Sequence, residues 1–194
     1  PAQYLHVYEA EGVRAAYLPT GARPDMMGSP LPPPQQDLDF SFFGFWTPWR
    51  RAFFDTLAAL LPDMAFRLVE PGMAPEQYRD MIRRTRVNLT ALTNCDVTAR
   101  DHWAVSDRVW EIPYAGGFLL QDDRRHIHDH FADDEIAVFT DARDCAEKIR
   151  LYAGNPRERV RILEAARARI VREHLWAHRM ERALELLLER ELLQ

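Results

Sequence analysis

From residue 39 onward, short apolar runs alternate with stretches of helical periodicity, and the runs are apolar on both faces. An antiparallel sheet with one wet face would show polar residues at every second position. Runs without that alternation need helices on both sides, which is the situation of a covered parallel sheet. Six or seven such repeats predict an α/β fold with a doubly wound parallel sheet. In that architecture ligands meet the carboxyl ends of the strands, so the residues just after each run matter most.

The individual segments follow from local signals. Residues 2–11 read as a helix ending at Gly12, and 13–18 as a short buried strand closed by Pro19. Residues 20–36 are rich in proline and glycine and form a loop of extended character. A strand over 39–43 stops at Gly44. Thr47 then offers an N-cap and Pro48 a first helical residue, for a helix to about Leu61 carrying Phe53, Leu57, Leu60 and Leu61 on one face. Strands over 64–69 and 87–92 flank a helix at 75–84, and 94–105 is a polar loop. Ser106 caps a helix through Tyr114 that ends at Gly116-Gly117. Strands at 118–121 and 136–139 enclose a short helix at 125–131, and Asp141 caps a helix to about Ala153. Residues 156–194 form a helical extension, with helices at 156–173 and 175–193. The second carries Trp176, Met180, Ala183, Leu184 and Leu187 as an apolar stripe.

Composition bounds the function. The 194 residues are 47% hydrophobic and 28% charged, enough to build one domain over 1–194 and not the composition of a disordered, collagenous or disulfide-stapled chain. No apolar stretch reaches the length of a membrane span. A net charge of −5 argues against nucleic acid as the main partner. Cys95 and Cys145 lie far apart without metal-ligand spacing, which fits a reduced, cytoplasmic setting.

Two turns carry candidate chemistry. At the first, a strand ends at Gly44, a helix begins, and Arg50 and Arg51 sit in its first turn, a pattern suited to a phosphate. An ordinary βα turn with two surface arginines is the alternative. At the second, Arg108 and Glu111 share a helical face. Glu111 can accept two vicinal hydroxyls, such as those of a ribose, with Arg108 orienting it or meeting a phosphate. The alternative is a plain ion pair between them, with Gly116 and Gly117 as a C-cap. His126, His128 and His130 do not share one helical face, so no metal is assigned to them, and His174 and His178 lack an HExxH context. No GxGxxG, P-loop or GxSxG occurs.

The stretch SDRVWEIPYAGGFLLQDD, residues 106–123, resembles the carboxyl-terminal half of GT-B glycosyltransferases of the CgeB/YkvP-like, "glycosyl transferases group 1" type. Matching features are Ser106, Arg108, Trp110-Glu111, the AGGFLL run at 115–120, His130-Phe131, the strand at 135–139 and the helical ending at 141–179. YLPTGARPDMM, DFSFFGF and RVNLTAL resemble the family's earlier strands. The resemblance implies a Rossmann-like domain that binds a nucleotide-diphosphate sugar and supports glycosyl transfer without a metal or other cofactor. By it, Glu111 holds the donor ribose. Gly44, Arg50, Arg51, Arg108, Gly116 and Gly117 lie toward the diphosphate. The catalytic base and the acceptor site are implied to belong to an N-terminal domain or partner chain, toward which the terminal helix crosses. Related transferases carry a further glutamate about two helical turns before the ribose glutamate, where Trp103 and Ala104 stand here. A non-catalytic nucleotide-binding or assembly module on the same fold is the competing reading.

Overall fold

The structure, a computed structural model, describes residues 5–69, 72–91 and 105–189. Helix α1 (Leu5–Ala10) precedes a long connection containing two short 3-10 turns, Pro24–Met26 and Pro33–Gln35. The sheet is then laid down as β1 (Leu38–Phe43), β2 (Phe66–Val69), β3 (Thr85–Thr90), β4 (Leu119–Asp122) and β5 (Ala137–Phe139). Between and after the strands lie α2 (Pro48–Leu60), α3 (Pro75–Arg84), α4 (Arg108–Tyr114), α5 (Ala142–Gly154), α6 (Pro156–Glu173) and α7 (Trp176–Glu189).

The strand order is β2-β1-β3-β4-β5 and every pairing is parallel. Phe40 on β1 stands opposite Phe66 on one side and Val87 on the other. The chain winds outward from β1 to β2, then reverses across β1 to β3. That reversal opens a crevice at the carboxyl end of β1, the place where such sheets bind ligands.

Successive side chains point to opposite faces, and the core divides accordingly. Phe40, Phe42, Val87, Leu89 and Leu120 pack with α2 and α5 through Phe53, Phe54, Leu57 and Ile149. Phe43, Val69 and Leu119 pack on the other face with Ile82, Trp110, Ile112 and Ile170 of α3, α4 and α6. The Asn88 amide, buried in mid-sheet, is hydrogen-bonded on both its oxygen and its nitrogen. Asn88 accepts from Ser41 Oγ at 3.0 Å and donates to the carbonyls of Ile82 and Phe118, each at 3.1 Å.

Helices α3 and α6 have the bounds expected from the sequence, and Thr47 caps α2, its Oγ1 accepting from the Arg50 amide at 3.2 Å. Asp141 likewise caps α5 through the amides of Arg143 and Asp144. Two expectations are corrected. Residues 13–18 form no strand: Val13 is half exposed, and the sheet ends at β2 and β5. Tyr17 of this segment lies within electrostatic reach of Arg179 of α7 instead. Residues 125–131 form only a 3-10 turn, Arg125–Ile127, followed by hydrogen-bonded turns, with His126 paired to Asp129 and His128 to Asp123. The expected loop at 94–105 lies almost wholly outside the described residues.

Gly116 sits at the amino-terminal edge of the sheet with φ +92°, and a Cβ there would lie 2.6 Å from the Ser29 carbonyl carbon. Both the backbone conformation and the close approach demand glycine. Gly116→Ala is therefore expected to cost about 1–3 kcal/mol, read as a lowered urea midpoint at unchanged m-value.

Candidate functional site

A pocket of about 200 Å³ opens above the carboxyl ends of β1 and β2. Phe43, Gly44 and Val69 form its floor, Met73 and Tyr78 of the α3 side one wall, and Asp107, Arg108 and Glu111 of α4 the other. Tyr78 meets Phe43 edge-on at 4.9 Å between ring centroids. One side of the pocket is thus apolar and aromatic, while the other offers a carboxylate and a guanidinium.

Glu111 is largely buried, its side chain 12% exposed. Its Oε1 lies 3.0 Å from Arg23 Nε, in the loop before β1. The ion pair foreseen with Arg108 is not the one formed. Burial raises the Glu111 carboxyl above the ordinary carboxylate value; Asp107 and Asp25 add to the rise, while Arg23 and Arg108 oppose it. Burial likewise raises the Tyr78 phenol, with the neighbouring Glu111 carboxylate adding to the effect.

Arg108 borders a second, smaller cleft between β1, β3 and β4, with room for about one water molecule. Its Nη1 donates to Ser106 Oγ at 3.3 Å, and its buried Nε has no hydrogen-bond partner among the described residues. Arg50 lies in the same cleft, buried beneath the turn it belongs to. Its guanidinium donates to Phe45 O at 2.8 Å and to Ala91 O at 3.4 Å, and stacks over Phe42. Asp122 and Arg124, which the sequence reading passed over, complete the cleft. Arg124 Nε donates to Asp122 Oδ2 at 2.9 Å, and burial raises the Asp122 carboxyl while Arg124 holds it down. Thr90 and Gln121 continue this chain of hydrogen bonds to Asp122.

Gly44, Arg50, Arg108 and Glu111 thus gather at one edge of the sheet. Arg51 is exposed, lies over Trp46, and lines neither cleft. Gly116 and Gly117 lie at the opposite, amino-terminal edge. A Cβ on Gly117 would come within 2.4 Å of Ile82 Cγ2, where α3 meets β3, while Gly116 packs against the Ser29–Pro30 loop. Cys145 is buried in the α2–α5 layer, and Cys95, Trp103 and Ala104 lie outside the described residues.

Behind Glu111, the C-terminal segment is latched to the site. Trp110 is fully buried, donates from Nε1 to Thr20 Oγ1 at 3.2 Å, and packs on His174 at 4.5 Å between rings. Arg179 of α7 donates to Thr20 O at 3.0 Å and to His174 Nδ1 at 2.7 Å. Ala22 and Leu175 form a parallel bridge. Since Nδ1 accepts, His174 is neutral with its proton on Nε2, directed at His130 O. Burial, then Arg179, holds its pKa down to about 4. Between that value and about 6.5 the unfolded chain carries the extra proton, so stability falls as the pH drops through this window. The loss is expected to reach about 2 kcal/mol at pH 4. Urea titrations from pH 7 to 4 check it: His174→Gln keeps an acceptor and a donor and flattens the slope.

Fold and pocket together define a Rossmann-like α/β domain with a pocket at the carboxyl edge of its sheet. Residues 49–185 match the family described as "Glycosyl transferase-like", and the chain belongs to that family, as a CgeB-like glycosyltransferase domain. Among solved structures it is similar to "Crystal Structure of TarM", with a TM-score of 0.59 at 11% identity, over 83% of this chain. At that identity the likeness is one of fold. The chain spans 37% of the length of TarM. No curated protein sequence matches it. Among the described residues no helix is long and apolar enough to cross a membrane.

Proposed function

We propose that this domain binds the nucleotide-diphosphate sugar donor of a glycosyl transfer. The nucleoside enters the pocket above β1 and β2, where Tyr78 and Met73 offer an apolar wall. Glu111 accepts the ribose hydroxyls, as an ionised carboxylate can do bidentately. The diphosphate lies over Gly44 toward Arg108, with Arg50 and Arg124 adding positive charge from beneath. Leaving-group charge grows on the diphosphate as the glycosidic bond breaks, and cations fixed there stabilise the transition state more than the ground state. The proposal assigns the donor charge to guanidinium groups without a metal, and leaves the acceptor to a second domain or partner chain. It keeps the reduced, cytoplasmic setting read from the cysteines.

One observation carries this reading. A buried carboxylate and a guanidinium with an unmatched buried N–H face the same pocket at the carboxyl edge of β1. Calorimetry with UDP, GDP, CDP and ADP tests it. The expected result is 1:1 binding of one nucleobase type, accompanied by thermal stabilisation of RT ln(1 + [L]/Kd). Absence of binding by all four at millimolar concentration would count against it.

A further inference from the structure

We propose that Arg23 is a positioning residue of the donor site, fixing the orientation and charge of the Glu111 carboxylate from the loop before β1. This deepens the donor-site reading and rests on it. Arg23 lies outside the matched family segment and does not line the pocket itself. Its Nε nevertheless stands 3.0 Å from Glu111 Oε1, on a carboxylate whose other surroundings disfavour charge. Burial comes first among those surroundings, followed by Asp107 at the start of α4 and Asp25 on the same loop, while Arg108 of α4 favours the charge and the Tyr78 phenol of α3 faces the same carboxylate. Only the two guanidiniums oppose the burial and the two aspartates. Arg108 is three residues from Glu111 and turns its Nη1 to Ser106, so the direct contact is left to Arg23.

The loop is built to hold Arg23 there. Ala22 N donates to His174 O at 2.8 Å, and Trp176 N to Ala22 O at 3.1 Å. On the other side Arg79 donates to Asp25 O at 2.5 Å, and Gly28 N to Tyr114 O at 3.1 Å. The residues flanking Arg23 are therefore anchored by backbone contacts that do not involve its side chain. That side chain is 45% exposed, so replacing it leaves the loop and the core in place. A carboxylate held on one oxygen by a guanidinium keeps its remaining lone pairs directed elsewhere, here toward the pocket. Without the guanidinium, burial makes protonation easier, and a protonated carboxyl no longer accepts two hydroxyls at once.

The test compares wild type with Arg23→Ala and Arg23→Lys. The Glu111 carboxyl carbon, identified by its loss in Glu111→Gln, is titrated by NMR without ligand. In parallel, calorimetry follows the tightest-binding of UDP, GDP, CDP and ADP, and its 2′-deoxy form, from pH 8 to 5. In Arg23→Ala the carboxyl midpoint is expected to rise by about one pH unit or more. Binding should weaken about tenfold near pH 6, recover toward alkaline pH, and lose part of its preference for ribose. Arg23→Lys restores the charge and recovers part of the affinity. An unchanged carboxyl midpoint in Arg23→Ala, or an unchanged pH profile of binding, overturns the proposal. Should wild type bind none of the four, the donor reading fails, and the ligand-free titration still decides whether Arg23 sets the charge of Glu111.

Discussion

Glu111→Ala is expected to weaken nucleoside diphosphate binding by about 30- to 100-fold while leaving folding stability within about 1 kcal/mol of wild type. The two halves have separate causes. A hydrogen bond to a charged acceptor is worth about 1.5–3 kcal/mol, and because the two proposed to the ribose share one carboxylate that must shed water to make them, the pair is expected to net about 2–3 kcal/mol. In the free protein the same group does the fold little service. Burial holds its folded pKa above the ordinary value, so at neutral pH the ionised group is less comfortable in the folded chain than in the unfolded one. Its partner Arg23 is nearly half exposed and regains water when the carboxylate is removed. Functional sites are where such uncompensated groups survive. Calorimetry and urea unfolding on the same variant check both halves. A variant that loses several kcal/mol of stability but binds as wild type would make Glu111 a structural residue.

The neighbouring position gives the opposite pattern. Trp110→Ala is expected to cost about 3–5 kcal/mol, a large share of the stability of a domain this size. The indole is fully buried, stacks 5.5 Å from Phe131 and 4.5 Å from His174, and lies under the Arg179 guanidinium at 5.7 Å. Removing it leaves a void between α4, α6 and α7 that close-packed neighbours fill only in part. It also deprives Thr20 of its indole donor, at the root of the loop that carries Arg23. Trp110→Phe keeps a ring but not the N–H, and should lose about 1–2 kcal/mol. An unfolding midpoint for Trp110→Ala equal to that of wild type would contradict the packing account.

Periodicity made the sheet legible. The runs at 39–43 and 64–69, and the capping signals at Thr47 and Asp141, lie where β1, β2, α2 and α5 form. These are local signals, set by side-chain alternation and by backbone groups a few residues apart. The segment at 13–18 misled for the same reason. Its apolar residues satisfy the strand pattern, but Val13 stays half exposed and Tyr17 comes near Arg179 of α7, more than a hundred and fifty residues later. At the site, Gly44, Arg50, Arg108 and Glu111 were visible because strand ends in a wound sheet converge. Arg23 was not, since a lone arginine in a proline-rich loop carries no periodic or motif signal. Its contact with Glu111 depends on the bridge between Ala22 and Leu175, a tertiary fact. Gly116 and Gly117 show the reverse. The AGGFLL run marks the family, yet its glycines are required by close packing at the far edge of the sheet.

The most direct measurement is a crystal structure of the domain with the nucleoside diphosphate that binds it. The account predicts the ribose hydroxyls within hydrogen-bond distance of the Glu111 carboxylate, the base against Tyr78, and the diphosphate between Gly44 and the Arg108 guanidinium. A nucleotide bound elsewhere, or one whose ribose turns away while Glu111 stays paired only to Arg23, would contradict the assignment of this pocket as the donor site.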